Sequence, residues 1–125
     1  MPKKAKMVKI SPGEIEMLNI LWSIKSGTIS QVHKEHTVRG NSVSYATIQT
    51  RLNRLVDKGA AVRVGFPGEY RALLKPEDVS DLYYGKLEKL CGPSVAPFLA
   101  HLFAKRDFDE EEIAMLEKIV ASKKR

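Results

Sequence analysis

The stretch from Ser44 to Lys58 places the strongest constraint on the fold, because its apolar residues repeat at the spacing of an amphipathic helix. Four of them fall at i, i+4, i+7 and i+8 and share one side of a helix: Ile48, Leu52, Leu55 and Val56. Ser44 is a favourable N-cap, and Gly59 is the residue type that commonly follows a helix. We therefore predict a central helix that packs its apolar side against a core.

The opposite side of this helix is polar. It carries hydroxyl, amide and guanidinium groups at Thr47, Gln49, Thr50, Arg51, Asn53 and Arg54. Such groups donate hydrogen bonds to phosphates and base edges, whereas an ordinary solvent-exposed helix alternates Glu with Lys. The only acid of the stretch, Asp57, comes in the last turn. The pattern indicates a helix that binds nucleic acid.

A shorter helix precedes the central one. Thr28 and Ile29 are compatible with a very short strand, and Ser30 is a suitable N-cap for a helix that extends to about His36. In this helix Ile29 and Val32 turn toward the core. The segment therefore supplies the first of two consecutive helices.

The loop between these helices covers residues 37–43 and is rich in turn-forming residues. Two short helices joined in this way, the second with a polar exposed side, are typical of a helix-turn-helix. In that arrangement the loop lies beside the DNA backbone. We expect three loop side chains to serve as phosphate anchors: Arg39, Asn41 and Ser42.

Two histidines, His33 and His36, lie just before this loop. Their spacing is compatible with a shared metal ion, but no cysteine or third histidine nearby completes a tetrahedral site. We therefore expect surface histidines, some of them close to backbone phosphates.

Two alternating stretches over 61–64 and 69–73 flank a Gly/Pro-rich turn over 65–68, which predicts a β-hairpin. A hairpin directly after the second helix of a helix-turn-helix is a wing. Arg63 and Arg71 on its strands could both contact the DNA backbone. The alternative is that they are simply exposed strand residues.

The first helix has a strong start signal. Ser11 is a suitable N-cap, Pro12 fits the first helical position, and Glu14 completes a capping box. The apolar residues that follow cover most of the helix surface: Ile15, Met17, Leu18, Ile20, Leu21, Trp22 and Ile24. Because a helix this apolar must be buried on several sides, we expect it to form the centre of the fold.

Three more amphipathic helices are predicted from Pro76 onward. The first ends at the Cys-Gly-Pro sequence over 91–93. Ser94 is expected to cap the second, and Asp109 with Glu112 forms a capping box at the start of the third.

The apolar stripes of these helices contain more residues than so short a segment can bury within itself. DNA sites read by helix-turn-helix proteins are often two-fold symmetric, so self-association through this segment is the simplest explanation. We assign the homodimer contacts to the stripe residues Leu82, Tyr83, Leu87, Leu90, Phe98, Leu99, Leu102, Phe103, Ile113, Leu116, Ile119 and Val120.

Charge is distributed unevenly along the chain, whose formal net charge is +6. Residues 1–76 contain 13 Lys and Arg and 5 Asp and Glu, whereas residues 77–125 contain 8 and 10. The positive half includes the central helix, as expected of a protein that approaches a polyanion with one end. The same half begins with a basic tail over 1–9, which either reaches the DNA or is simply solvated.

Other protein classes are disfavoured. No apolar run reaches the roughly 18–20 residues that cross a bilayer, and the N-terminus lacks the apolar centre of a signal peptide, so we expect a cytoplasmic protein without membrane contact. The single cysteine, Cys91, permits no internal disulfide and is expected to be a small buried residue. No arrangement of nucleophile, base or paired carboxylates indicates an enzyme, and we predict no cofactor and no metal site.

These observations predict a mainly α-helical protein with a small β-hairpin wing. We divide it into a basic flexible tail over 1–9, a winged helix-turn-helix domain over 10–75 that binds double-stranded DNA, and a helical dimerisation domain over 76–125. The alternative is a winged-helix module for protein–protein assembly, which predicts apolar or acidic groups on the exposed side of the central helix. The predicted DNA contacts are Arg39, Ser42, Ser44, Tyr45, Ala46, Thr47, Gln49, Thr50, Arg51, Asn53, Arg54, Arg63 and Arg71.

The sequence resembles the penicillinase and methicillin-resistance repressors of bacteria, a family that also includes copper-responsive members. The resemblance spans roughly Ile10–Val120 and is carried by EIEMLNILW, ISQVH, SYATIQTRLNRLVDKGA, the predicted hairpin and CGPSVAPFLAHLF. Its most specific part is the pattern Ser-Tyr-x-Thr-Ile-x-Thr-x-Leu-x-Arg-Leu-x-x-Lys-Gly at Ser44–Gly59. The resemblance implies a winged-helix DNA-binding domain, a C-terminal dimerisation domain and repression at a palindromic operator. The family's DNA contacts fall here on Ser44, Thr47, Gln49, Thr50 and Arg54.

The chain departs from the family pattern at three points. Members in antibiotic-resistance systems are inactivated by a regulatory protease in the helix that matches residues 94–104, commonly at an Asn-Phe bond, and the matching pair here is Leu102-Phe103. The C-terminal Cys-x-Cys site of the copper-responsive members has no counterpart in this sequence. Ala46 replaces a larger polar residue of some members, which indicates a different operator sequence.

Overall fold

Six α-helices and a two-stranded antiparallel sheet make up the part of the chain that the computed structural model describes, residues 9–124. This confirms the predicted mainly helical fold with one β-hairpin. The predicted basic tail lies outside the described residues except for Lys9. Every helix within 9–124 is too short or too polar to span a lipid bilayer. In chain order the elements are α1 (Pro12–Ile24), α2 (Ile29–Val38), α3 (Tyr45–Asp57), β1 (Ala61–Val64), β2 (Glu69–Ala72), α4 (Pro76–Cys91), α5 (Ala96–Lys105) and α6 (Glu110–Lys123).

The chain divides into two compact units after Gly85, a point that lies within α4. We call them the N-terminal unit and the C-terminal unit. The division comes later than the boundary predicted at the start of α4. The reason is that Val79 is buried and that Leu82 and Tyr83 pack against the core of the N-terminal unit.

The core of the N-terminal unit is built around α1. The Ser11 hydroxyl accepts a hydrogen bond from the Glu14 N–H (3.2 Å), and the Glu14 carboxylate accepts one from the Ser11 N–H (3.0 Å), so the predicted capping box is confirmed. The largest fully buried apolar side chains come from four elements: Met17, Leu18, Ile20 and Leu21 of α1, Val32 of α2, Ile48, Leu52 and Leu55 of α3, and Tyr70 of β2. The central place predicted for α1 is therefore confirmed.

The segment before α2 differs from the prediction. Thr28 is the N-cap, because its hydroxyl accepts a hydrogen bond from the Gln31 N–H (3.2 Å) and its own N–H donates to the Gln31 side chain (2.8 Å). The predicted cap at Ser30 is therefore wrong. The predicted strand is also displaced, since the residue that pairs with the sheet is Gly27, which exchanges two backbone hydrogen bonds with Tyr70 (3.1 and 2.7 Å).

The predicted central helix, α3, is confirmed. Ser44 is its N-cap and accepts a hydrogen bond from the Thr47 N–H (3.1 Å). Val56 is half-buried beside the fully buried residues of the same stripe. Gly59 follows the helix with φ +78°, a left-handed conformation that suits glycine. Burial of the apolar side leaves the polar side of α3 at the surface.

The helix starts of the C-terminal unit follow the prediction in one of two cases. Asp109 caps α6, because its carboxylate accepts a hydrogen bond from the Glu112 N–H (2.8 Å), but the Glu112 side chain does not return the bond, so the predicted capping box is only half formed. The N-cap of α5 is Val95 instead of Ser94, whose hydroxyl accepts a hydrogen bond from the Ala96 N–H (3.3 Å).

A partly buried ion pair joins α1 to the end of α3. The Lys58 ammonium donates to Oε1 of Glu14 (2.6 Å), whose side chain is only 3% exposed. Burial raises the pKa of Glu14, but the hydrogen bonds from Lys58 and from the Ser11 N–H, with the charges of Lys58 and Arg54, outweigh it. The pKa of Glu14 therefore lies below its ordinary value. The sequence indicated the cap but not this pair, whose partners are 44 residues apart.

We expect Glu14→Gln to weaken the fold and to flatten its acid dependence. Because the folded-state pKa of Glu14 is lowered, the carboxylate stabilises the fold above its ordinary pKa, and this stabilisation is lost as the pH falls into the acidic range. Near neutral pH the variant should lose about 1–3 kcal/mol of unfolding free energy. Between about pH 6 and pH 3 that free energy should decrease less than in the wild type. Urea unfolding measures both. Glu77→Gln, which removes an exposed carboxylate, is the control, and equal pH dependence in wild type and Glu14→Gln would contradict the prediction.

Candidate nucleic-acid interface

The polar face of α3 consists of the six side chains predicted from the sequence: Thr47, Gln49, Thr50, Arg51, Asn53 and Arg54. Gln49, Thr50 and Arg54 are exposed, and Thr47 is half-buried with its hydroxyl 3.0 Å from that of Ser44. Within residues 9–124, Arg54 forms no ion pair. Its guanidinium and the Gln49 amide are therefore available to an external partner.

Tyr70 of β2 fixes one member of the polar face. Its hydroxyl donates a hydrogen bond to Oδ1 of Asn53 (2.8 Å), while the tyrosine itself is buried. Because Tyr70 also pairs with Gly27, one residue ties the hairpin both to α3 and to the turn before α2. No local pattern indicates the contact with Asn53, whose partner is 17 residues away.

Arg51 already forms an ion pair with another side chain of the protein. Its Nη1 donates to Oε1 of Glu16 on α1 (3.3 Å), and the same oxygen lies 3.1 Å from Nε2 of His36. His36 is 2% exposed, so the prediction of a surface histidine is wrong for this residue. The sequence does contain a signal for the burial of His36, because Ile29, Val32 and His36 fall at i, i+3 and i+7 on one side of the helix.

The start of α3 is held by the other histidine. Nε2 of His33 lies 2.9 Å from the carbonyl oxygen of Val43, and its ring meets Tyr45 edge-on with 6.1 Å between centroids. His33 is half-buried, which corrects its prediction as a surface residue. Tyr45 remains exposed, beside the exposed Ala46.

The predicted loop anchors differ in their availability. Ser42 is exposed, whereas Asn41 donates from its amide to the His36 carbonyl oxygen (3.4 Å). Arg39, the C-cap of α2, is exposed but pairs with Glu35 (3.0 Å). Only Ser42 of these three therefore has a side chain without such a partner in the part of the chain that the structure describes.

The hairpin carries its two arginines on opposite faces. Arg63 is paired with Tyr70 across the strands, and Val62 with Arg71. Since side chains alternate between the two faces along a strand, Arg63 shares the face of Tyr70 and Arg71 lies on the other. Both arginines are exposed, but the structure does not bring them together. Arg63 is on the same face as the residue that contacts α3.

The tip of the hairpin is apolar. Phe66 is 97% exposed, and the Arg63 side chain lies across Gly68, where glycine leaves room for it. The sequence indicated a turn here but gave no reason to consider Phe66 as a contact residue.

In the C-terminal unit, α5 and α6 contain no buried residue along their described lengths. An open groove of about 680 Å³ lies between them. Its apolar lining includes six of the predicted dimer residues: Leu99, Leu102, Phe103, Ile113, Leu116 and Val120.

The other predicted dimer residues lie outside this groove. Leu87, Leu90 and Ile119 are exposed, and Phe98 is half-buried. Leu82 and Tyr83 are half-buried against the core of the N-terminal unit, and the Tyr83 hydroxyl donates a hydrogen bond to the Ile10 carbonyl oxygen. The apolar stripe of α4 is thus used in part inside the protomer.

Among the described residues, no three histidine, cysteine or carboxylate side chains gather as a metal site would require. The chemistry that the N-terminal unit offers is hydrogen-bond donation from exposed guanidinium, amide and hydroxyl groups on one helix, flanked by the hairpin. Such donors suit phosphates and base edges.

Comparisons with known proteins agree with this geometry. The solved structure of a MarR family protein from Bacillus stearothermophilus has a TM-score of 0.51 and 16% sequence identity, over 96% of this chain and 76% of that chain. At this identity the likeness concerns the fold alone, and the winged-helix fold is confirmed. No match was found among curated proteins. The sequence model of the penicillinase repressor family matches residues 10–122. This chain therefore belongs to the penicillinase repressor family of transcription regulators.

Proposed function

We propose that this protein represses transcription by binding a palindromic DNA operator as a homodimer. The N-terminal unit is the DNA-binding part and the C-terminal unit joins the two protomers. Each protomer inserts α3 into a major groove, with Thr47, Gln49 and Thr50 at base edges and Arg54 at a phosphate.

The polar face of α3 is the observation that carries this proposal. It exposes Gln49, Thr50 and Arg54 without a carboxylate among its own six residues. The helix is held rigidly, because three of its side chains are fully buried and both of its ends are tied, Ser44 by capping and Lys58 by the pair with Glu14. A recognition helix needs this combination of free donors and a fixed backbone. The alternative of a protein-assembly module favours apolar or acidic groups on this face instead.

Flanking residues extend the proposed DNA surface. Ser42 and Tyr45 lie exposed at the start of α3, and the hairpin follows its end. We assign the wing contact to Arg63 ahead of Arg71, because Arg63 shares the strand face of Tyr70, which reaches α3. Arg39 also belongs to this surface, but it must break its ion pair with Glu35 before it can bind a phosphate.

The C-terminal unit supports the homodimer part of the proposal. Its helices α5 and α6 bury none of their described residues in one protomer, and large apolar side chains such as Leu90, Phe103 and Ile119 are exposed. A second copy of the chain would cover these apolar surfaces with the same surfaces of its own. The resulting homodimer would have two-fold symmetry, which matches a palindromic operator.

A regulatory protease remains an implication of the family resemblance. The Leu102–Phe103 bond lies inside α5, a regular helix. Proteases prefer exposed loops, so cleavage at this bond requires local unfolding of α5.

Salt-dependent DNA binding tests the proposed function. Selection from a random duplex library should recover a two-fold symmetric sequence with half-sites about 10 base pairs apart, or a multiple of that spacing. In gel-shift titrations with this sequence, contact with five to eight phosphates per dimer should give a log–log salt slope of about −5 to −7. A scrambled duplex of equal length is the control. Selection without an enriched sequence, or a slope near zero, would contradict the proposal.

A further inference from the structure

Three side chains from three helices meet at the edge of the polar face of α3, and one of them, Arg51, belongs to that face. Oε1 of Glu16 on α1 accepts a hydrogen bond from Nη1 of Arg51 on α3 (3.3 Å) and lies 3.1 Å from Nε2 of His36 on α2. The histidine is 2% exposed, whereas the Glu16 side chain is 49% exposed. The Glu16 carboxylate therefore contacts the buried His36 ring on one side and is open to solvent on the other.

Arg51 is confined on the α1 side of α3. Its Nε and Cζ atoms lie 2.8 and 2.9 Å from the position that a Cβ on Gly13 would occupy, so the guanidinium rests against the first turn of α1. The arginine side chain is 27% exposed. Since Gly13 and Glu16 both belong to α1, the position of Arg51 in the free protein is set by α1 rather than by solvent.

A carboxylate and a phosphate are equivalent partners for a guanidinium, because both accept the same charge-assisted hydrogen bonds. We propose that Glu16 is a competing partner that holds Arg51 in the free protein and releases it to a DNA phosphate when the operator binds. This inference rests on the proposed DNA-binding function. Glu16 is a positioning residue, which acts on DNA only through Arg51.

The exchange has a consequence for counterions that distinguishes Arg51 from Arg54. A phosphate contact by Arg54, which has no ion-pair partner within 9–124, releases the cations condensed on that phosphate. A contact by Arg51 does the same but leaves the Glu16 carboxylate without its guanidinium, and cations from the solution then accumulate around that carboxylate in its place. Arg51 therefore adds little to the salt slope in the wild type.

Glu16→Gln tests the exchange, because glutamine keeps a hydrogen-bond acceptor for His36 while it removes the competing charge. We expect the variant to bind the operator about fivefold more tightly at physiological salt and its log–log salt slope to become steeper by about 0.9 per protomer. Adding Arg51→Ala should abolish both changes, whereas Arg51→Ala alone should leave the slope close to that of the wild type. Asp57→Asn, which removes an acid from the same part of the molecule, controls for the change in net charge.

Thermal unfolding of all four variants checks that the fold is retained. A gain in affinity that persists without Arg51, or that Asp57→Asn reproduces, would show a general charge effect and overturn the inference. An unchanged slope in Glu16→Gln would overturn it as well. Absence of salt-dependent DNA binding in the wild type and in every variant would instead overturn the proposed function, and this inference with it.

Discussion

The variant Leu102→Asp is expected to be monomeric at concentrations at which the wild type is dimeric. Leu102 is half-buried and lines the apolar groove between α5 and α6, the surface to which we assign the partner protomer. A carboxylate there must be desolvated on association, and without a polar partner this costs several kcal/mol, on the order of 2–7. Loss of the second protomer removes the high effective concentration of the second α3, so affinity for a palindromic operator should fall about 100-fold or more.

Sedimentation velocity and gel shift measure these two effects. His101→Asp is the matched control, because His101 is exposed on the same helix and does not line the groove. This variant should dimerise and bind DNA like the wild type. A Leu102→Asp variant that still sediments as a dimer would show that the interface lies elsewhere.

Arg54→Ala and Gln49→Ala are expected to separate affinity from specificity. Because Arg54 is exposed and unpaired within 9–124, its loss should weaken binding to every duplex by about tenfold and reduce the salt slope by about 0.9 per protomer. Loss of Gln49, which we assign to a base edge, should change the preference at one position of each half-site by about 1–3 kcal/mol.

Binding to the selected operator and to its single-base variants measures both predictions. Lys118→Ala, which removes an exposed cation from the C-terminal unit, is the control for net charge. Equal, sequence-independent losses in Arg54→Ala and Gln49→Ala would contradict the assignment of Gln49 to a base.

The parts of the fold that could be predicted depend on neighbours along the chain. The N-caps Ser11, Ser44 and Asp109 act within three residues, and the stripe of α3 repeats within a few turns. The hairpin follows from its turn residues. These signals are local, so composition and spacing were enough to locate α3 and its polar face.

The contacts that differ from the prediction join distant residues. Arg51 and Glu16 are 35 positions apart, and His36 and Glu16 are 20 apart. The periodicity of α4 indicates that one side of the helix is covered, but it does not identify the surface that covers it. It therefore did not show that Leu82 and Tyr83 pack against the core of their own protomer. The burial of His36 could have been predicted, because His36 follows Val32 at a helical spacing. It was missed because histidine is usually a polar surface residue.

The hydrogen bond from the buried Tyr70 hydroxyl to Oδ1 of Asn53 has a consequence for which operators are accepted. An asparagine that recognises adenine uses its oxygen for the purine amino group and its nitrogen for N7. In this protein Tyr70 occupies one lone pair of the oxygen and so fixes which way the amide faces, while the second lone pair and the amino group stay available. Where Asn53 meets a base in the proposed complex, we therefore expect it to present its oxygen and nitrogen in one fixed order, which favours operators with adenine at that position.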